Sequence, residues 1–278
     1  MKNIGILYHP LNESAYALAK KLEDFLNAKG LSVWLCSAWE GEKARTQVDG
    51  TDLILSIGGD GTILRTAQVA VPDLIPIVGV NLGRLGFMTE LSVDEAVEKL
   101  PALLAGKGWV DERAMLEAGL LAAGQDEPAG TFCALNDVVV ARGAVARMIY
   151  IEASIDDQPL TTYKADGMIV ATATGSTGYS LAAGGPILHP QSQDFILLPI
   201  LPHLSSAYPM VLPQAAMVKL RITTAHQALL SIDGHIHLPL NSGAVITVKC
   251  SANTTRFLRI RSQTSFYSSL EQRLKGKQ

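Results

Sequence analysis

The stretch SIGGDGTILR (Ser56–Arg65) sets Gly58, Gly59 and Gly61 around Asp60, after the apolar run LIL and before residues of helical character. Glycines at a strand-to-helix junction permit positive φ and close backbone approach, and the free N–H groups of a helix N-terminus suit an anion such as phosphate. A carboxylate among those donors repels phosphate. It becomes useful there if it meets the phosphate through a divalent metal, or if it accepts the proton of a hydroxyl attacking phosphorus. Either role makes Asp60 a phosphoryl-transfer residue. The structural alternative is a tight turn in which Asp60 or Thr62 caps the following helix. Neither G-x-x-x-x-G-K-[ST] nor G-x-G-x-x-G is present, which excludes a Walker A loop and that dinucleotide fingerprint.

Three further stretches carry candidate chemistry. In KADGMIVATATGSTGYSLAAGGPILHP (Lys164–Pro190) a strand-like run ends in Thr174, Gly175, Ser176, Thr177, Gly178 and Tyr179. Those hydroxyls, amides and one ring suit an adenine edge, a ribose or a phosphate; a Ser/Gly loop is the plain alternative. G-x-S-x-G does not fit around Ser176, so a serine hydrolase is not indicated. LNDVVVAR places Asn136 and Asp137 at the start of an apolar strand, where amide plus carboxylate suits a sugar diol or a diphosphate-bound metal, and where Asn-Asp is also ordinary turn chemistry. SIDGHIHL sets Asp233, His235 and His237 at alternate positions, on one face of a continuous strand. Asp233-Gly234 is equally a hairpin-turn signal, which breaks that face and disfavours a metal site.

The elements that must position these residues fall into two kinds. Up to about residue 110, strand and helix signals alternate: NIGILY, the helix ESAYALAKKLEDFLNAKG with Ala15, Leu18, Ala19, Leu22 and Leu26 at helical spacing, LSVWLC, TDLILSI, TILRTAQVA, IPIVGVN and VDEAVEKLPALLAGKG. Such alternation implies parallel strands with right-handed crossovers, a doubly wound sheet. From Asp111 the pattern changes to short β-branched runs with turns between them, from LNDVVVAR and MIYIEASIDDQPL to AVITVKC and FLRIRS, which predicts an antiparallel β-sandwich. The tail SFYSSLEQRLKGK returns to helical spacing, with Phe266, Leu270 and Leu274 on one face.

Composition narrows the class further. With 278 residues, 48% hydrophobic, the chain can bury one large core or two smaller ones. A net charge of −3 without a Lys/Arg block argues against nucleic acid or an anionic membrane as partner. Cys36, Cys133 and Cys250 are widely spaced and lack a C-x-x-C pair, as expected of core residues in a reducing compartment. FILLPILP is broken by Pro199 and Pro202 and is too short for a membrane span. A soluble, cytoplasmic protein is expected.

Taken together, these stretches resemble the NAD kinase family (ATP- or polyphosphate-dependent). The matches run in family order: GGDGT at 58–62, GVNLGRLGFMTE at 79–90, LND at 135–137, ADGMIVATATGSTGYSLAAGGPILHP at 165–190 and SIDG at 231–234. GGDGT alone is shared with diacylglycerol and sphingosine kinases; NLGRLGF and TGST-Y are far more specific. The resemblance implies a Rossmann-like α/β domain over 1–110, rejoined by about 256–278, and a β-sandwich NAD-binding domain over 111–255, with a cleft between them. It implies phosphorylation of the 2′-hydroxyl of NAD's adenosine ribose by ATP or polyphosphate, with a divalent metal such as Mg²⁺. It also implies a homo-oligomer, a dimer or commonly a tetramer, in which a neighbour helps complete the NAD site.

By the same resemblance, Asp60 is the catalytic carboxylate and Gly58, Gly59, Gly61 and Thr62 form the phosphate loop. Arg65 faces the substrate diphosphate. Asn136 and Asp137 hold the adenosine ribose and adenine. Arg147, Lys164 and Asp166 line the NAD site, the last two near nicotinamide. Thr174, Thr177, Gly178, Tyr179, Ser180, Leu181 and Ala182 surround the adenosine. The family's usual STPTGSTAYSLS is ATATGSTGYSLA here, with Ala171, Ala173, Gly178 and Ala182 as the departures. Ala182 removes a hydroxyl near the base and Gly178 adds backbone entropy to the loop. A lipid kinase sharing GGDGT and a non-catalytic NAD(H) sensor are the competing expectations. The first lacks a membrane-facing surface in this sequence, and an intact Asp60 argues against the second.

Overall fold

The structure, a computed structural model, describes residues 1–83, 86–125, 127–143, 147–203, 208–262 and 265–275. Arg84 and Leu85 of GVNLGRLGFMTE lie outside the described residues. The chain divides into two compact units, Met1–Glu112 with Asn253–Gln278, and Arg113–Ala252.

The first unit is built on parallel strands. β1 (Asn3–Tyr8) pairs with both β2 (Ser32–Ser37) and β3 (Leu53–Ile57), and β3 pairs with β4 (Ile77–Asn81). All five residues of β3 and all five of β4 are buried, as expected of central strands covered on both faces. A two-residue strand β5 (Leu91–Ser92) extends beside the end of β4. The helices are α1 (Glu13–Ala28), α2 (Gly41–Arg45), α3 (Asp60–Ala70) and α4 (Val93–Leu104). Asn12 caps α1 by accepting from the Ala15 N–H, and Ala15, Leu18, Ala19, Leu22 and Leu26 form its buried stripe against Ile4, Ile6, Leu53 and Leu55. α4 starts in a capping box, Ser92 with Glu95.

The second unit is all antiparallel. Its strands are β6 (Trp109–Leu121, which begins in the first unit), β7 (Gly130–Ala134), β8 (Asp137–Arg142), β9 (Ile149–Ile155), β10 (Gln158–Ala165), β11 (Gly167–Ala171), β12 (Phe195–Ile200), β13 (Met210–Leu212), β14 (Met217–Thr223), β15 (Ala228–Ile232), β16 (Ile236–Leu240) and β17 (Val245–Arg259). One sheet has the order β13-β12-β11-β8-β15-β16; the other runs β10-β9-β14-β17, with β6 on β17 and β7 on β6. Val138, Val140, Met168, Val170 and Leu230 of the first meet Ile151, Val218, Leu220, Ile246 and Val248 of the second in one buried cluster. A short helix α5 (Tyr179–Ala182) follows β11. β17 continues into the first unit, where Phe257 pairs with Ile77 of β4, and α6 (Ser265–Lys275) follows.

Several strands differ from the sequence expectation, β6, β7, β12 and β17 among them. β6 begins in the polar run WVDER because Asp111 and Arg113 are themselves buried. β7 (GTFCA) has too few β-branched residues to stand out. β12 contains Pro199, yet it pairs with β13 only over Phe195–Leu197, so the missing N–H falls beyond that ladder. β17 runs unbroken through SANTTR, which in sequence separates AVITVKC from FLRIRS.

Candidate active site

The GGDGT turn forms where β3 ends and α3 begins. The Gly58 N–H donates to the Val80 carbonyl at 2.9 Å, continuing the ladder with β4. Gly58 has φ +155°, and a Cβ there would collide with the Thr62 side chain, so only glycine fits. Gly59 is the N-cap of α3 and makes no side-chain cap, while Gly59 and Gly61 are both exposed. The helix therefore starts with free amides and an aspartate in its first turn. Thr62 is 1% exposed, and its hydroxyl has no hydrogen-bond partner among the described residues. A buried hydroxyl in that state is unfavourable unless a ligand completes it.

Asp60 does not cap its own helix. Its carboxylate is gripped from a separate loop: Oδ2 accepts from the Phe87 N–H and Oδ1 from the Met88 N–H, each at 3.2 Å. Gly86 lies so close that any side chain there would strike the Asp60 carboxylate. The loop is anchored at both ends: the Gly86 N–H donates to Thr89 Oγ1 at 2.9 Å and the Glu90 N–H to the Gly79 carbonyl at 2.8 Å. Two backbone donors fix the orientation of Asp60 while it remains partly accessible. Arg65, further along α3, lies with its guanidinium 4.4 Å from the Trp39 ring centroid, and the His9 ring lies 4.5 Å from Trp39.

In the second unit the Asn136–Asp137 pair is held by a residue that sequence reasoning treated as a turn. Asp233 closes the hairpin between β15 and β16 with φ +49°, is 5% exposed, and aims its carboxylate back at the start of β8. That carboxylate accepts from three backbone N–H groups: Leu135 at 2.9 Å, Asn136 at 2.7 Å and Asp137 at 3.1 Å. The Asp137 side chain is buried beside it. Desolvation, reinforced by the Asp233 charge, pushes the Asp137 carboxyl up to about 7. Asn136 Oδ1 and Ser180 Oγ are buried and have no hydrogen-bond partner among the described residues.

The loop after β11 ties up most of its side-chain hydroxyls within the second unit. Thr172 Oγ1 donates to the Leu135 carbonyl at 2.6 Å, Ser176 Oγ to the Ala173 carbonyl at 2.6 Å and Thr177 Oγ1 to the Thr174 carbonyl at 3.2 Å. Ser176 thus shapes the loop, and of the buried hydroxyls in this stretch Ser180 is the one left unpartnered among the described residues. Arg113 Nη1 reaches Thr174 Oγ1 at 3.4 Å. Tyr179 is 49% exposed and presents its ring to solvent. Gly178 is the N-cap of α5, which contains Leu181 and Ala182.

Asp166 forms an ion pair with Arg142 at 3.0 Å, the Lys164 ammonium lies 5.9 Å from the Tyr150 ring centroid, and Arg147 is exposed. Sequence reasoning missed Arg142 and the Phe87 and Met88 amides, and it weighed Asp233 only as a turn residue or part of a disfavoured metal face. Asp233-Gly234 does signal a tight turn, but nothing in its spelling says that its carboxylate would collect three amides of a distant loop.

The chain as a whole is similar to known proteins. Residues 36–108 match the ATP-NAD kinase N-terminal domain and residues 135–260 the ATP-NAD kinase C-terminal domain. The NAD kinase of Dehalococcoides mccartyi is 51% identical over 275 residues, 99% of this chain and 96% of that protein. The NAD kinase of Chloroflexus aggregans is 40% identical over 275 residues, 99% of each chain. Among solved structures, yeast NADH kinase complexed with NADH superposes with a TM-score of 0.89 at 23% identity, over 99% of this chain and 88% of that one. An NAD kinase from Archaeoglobus fulgidus in complex with ATP superposes with a TM-score of 0.76 at 26% identity, over 99% of each. Fold and relatives together define a phosphotransferase with an alcohol group as acceptor. The chain belongs to the NAD kinase family.

Proposed function

We propose that the protein transfers the terminal phosphoryl group of ATP, or a phosphoryl group of polyphosphate, to the 2′-hydroxyl of the adenosine ribose of NAD, giving NADP and releasing ADP or the shortened polyphosphate. The observation that carries this reading is the state of Asp60: a carboxylate pinned by two loop amides at the glycine-lined start of a helix, beside a buried and unpartnered Thr62 hydroxyl. The exposed Gly59 and Gly61 backbone and the Thr62 hydroxyl receive donor phosphates. Asp60 orients the attacking hydroxyl and collects its proton late in a loose transition state.

NAD is held by Asn136, Asp137, Thr174 and Thr177–Ala182. Asn136 Oδ1 and Ser180 Oγ are buried polar atoms that a nucleoside would satisfy. Arg147, Lys164 and Asp166 line the NAD site, the last two supplying charge toward the nicotinamide end, and Arg65 supplies charge toward the diphosphate. A divalent cation such as Mg²⁺ would neutralise charge on the donor phosphates when bound. Asp60 is the acidic side chain at the loop that would face such a cation.

No helix among the described residues is long and apolar enough to cross a membrane. The reading includes a cytoplasmic location, in keeping with three free cysteines. It also includes a homo-oligomer, dimer or tetramer, in keeping with the exposed apolar side chains Leu201, Tyr208 and Val211. Incubation with NAD, ATP and Mg²⁺, followed by enzymatic cycling for NADP, tests the function; parallel reactions with polyphosphate as donor and diacylglycerol as acceptor define its scope. NADP formation supports it, and product from diacylglycerol alone overturns it. Light scattering on the eluting peak gives the oligomer.

A further inference from the structure

The loop that grips Asp60 is itself held from a distant part of the chain. Arg259, the last residue of β17, is 5% exposed, and its Nη1 donates to the Met88 carbonyl at 2.8 Å. The peptide groups of Phe87 and Met88 carry the two N–H donors to Asp60. One short backbone segment therefore faces Asp60 with its amides and Arg259 with its carbonyl.

The guanidinium is fixed in turn. Its Nε meets Asp111 Oδ2 at 3.2 Å and its Nη1 also reaches Glu90 Oε2 at 3.4 Å, with both acids almost fully buried. The Phe257 ring lies 4.7 Å from it. Glu90, at the far end of the same loop, accepts from the Ile260 N–H at 2.9 Å and the Arg261 N–H at 2.7 Å, so the strand end and the loop are tied twice. A buried arginine flanked by two carboxylates is weak evidence of stabilisation, because desolvation offsets the Coulombic gain. Fixing geometry is the better account of why this cluster is present.

We infer that Arg259 is a positioning residue for Asp60: it clamps the Met88 carbonyl so that the Phe87 and Met88 amides hold the carboxylate in its reactive orientation. The inference rests on the reading of Asp60 as the residue that orients the acceptor hydroxyl. Arg259 contributes through its planar fork, which serves Met88, Glu90 and Asp111 at once; a lysine ammonium keeps the charge but not the geometry.

The test is a double-mutant cycle on the full-length protein. Arg259→Lys is expected to lower kcat about 10- to 100-fold, the scale of an ångström-sized misplacement, while KM for NAD and for ATP stays within about two-fold. In an Asp60→Asn background the same Arg259→Lys change is expected to leave the residual turnover unaltered, since the group it positions is gone. A loss of equal size in both backgrounds, or a full kcat for Arg259→Lys alone, overturns the inference. If Arg259→Lys does not fold, Asp111→Asn releases the guanidinium from the other side. It is expected to lower kcat in the same way, and a folded Asp111→Asn protein with unchanged kcat overturns the inference as well. Normal turnover by Asp60→Asn alone would instead strike at the role given to Asp60, which keeps the two failures apart.

Discussion

Asp137 gives the most quantitative prediction. Its carboxyl shifts from an ordinary 3.8 to about 7, first because burial disfavours the charge and second because Asp233 faces it. The unfolded chain releases this proton near pH 4, whereas the native protein keeps it until about 7. Between those values the native state binds more protons, so stability falls as pH rises. About three pK units at about 1.4 kcal/mol each correspond to roughly 4 kcal/mol, lost progressively between about pH 4 and 7. Asp137→Asn keeps the shape and cannot ionise. Urea unfolding followed by far-UV circular dichroism, in steps from pH 4 to 8, should show the Asn variant gaining about 4 kcal/mol on the parent across that window, with the difference flat above it. Titrating groups remote from residue 137 are common to both proteins and cancel. Parallel stability curves for the two proteins would refute the reasoning, because they would mean that Asp137 ionises alike in the folded and unfolded chain.

Thr62→Val should leave the thermal midpoint unchanged or raise it slightly, because the hydroxyl it removes is buried without a partner. KM for ATP should nevertheless rise about ten-fold, the value of one hydrogen bond to a charged phosphate; an unchanged KM would deny the hydroxyl a ligand role. Asp233→Asn retains one acceptor oxygen and suits the left-handed backbone at φ +49°, but its amide nitrogen would face an N–H that now meets a carboxylate. A stability loss of about 2 kcal/mol and a weaker NAD affinity are expected from chemical denaturation and equilibrium titration, and full NAD affinity would show that the 135–137 loop does not need Asp233.

Much of this fold is visible in the sequence wherever periodicity is strong. The stripe of α1, the buried runs of β3 and β4, and the Asp156-Asp157 and Asp233-Gly234 turns, each at positive φ, follow from local patterning. β6 and the middle of β17 are not visible, because buried Asp111 and Arg113 and the polar SANTTR run break the expected alternation. At the candidate site, GGDGT and LND stand out by residue type. The groups that hold them do not: Phe87 and Met88 act through backbone N–H groups, which leave no residue signature, and Asp233 and Arg259 act over nearly 100 and 171 positions of chain. Local chemistry is written in the sequence, whereas orientation comes from long-range contacts that only the fold brings together.

The role given to Asp60 is tested most directly by Asp60→Asn, with NAD dissociation and NADP production measured on the same preparation. Because the substitution keeps the side chain's size and removes its capacity to accept a proton, NAD should bind within about two-fold of the parent while turnover falls by about two to four orders of magnitude. A variant that binds NAD normally and still turns over at close to the parental rate would contradict the account.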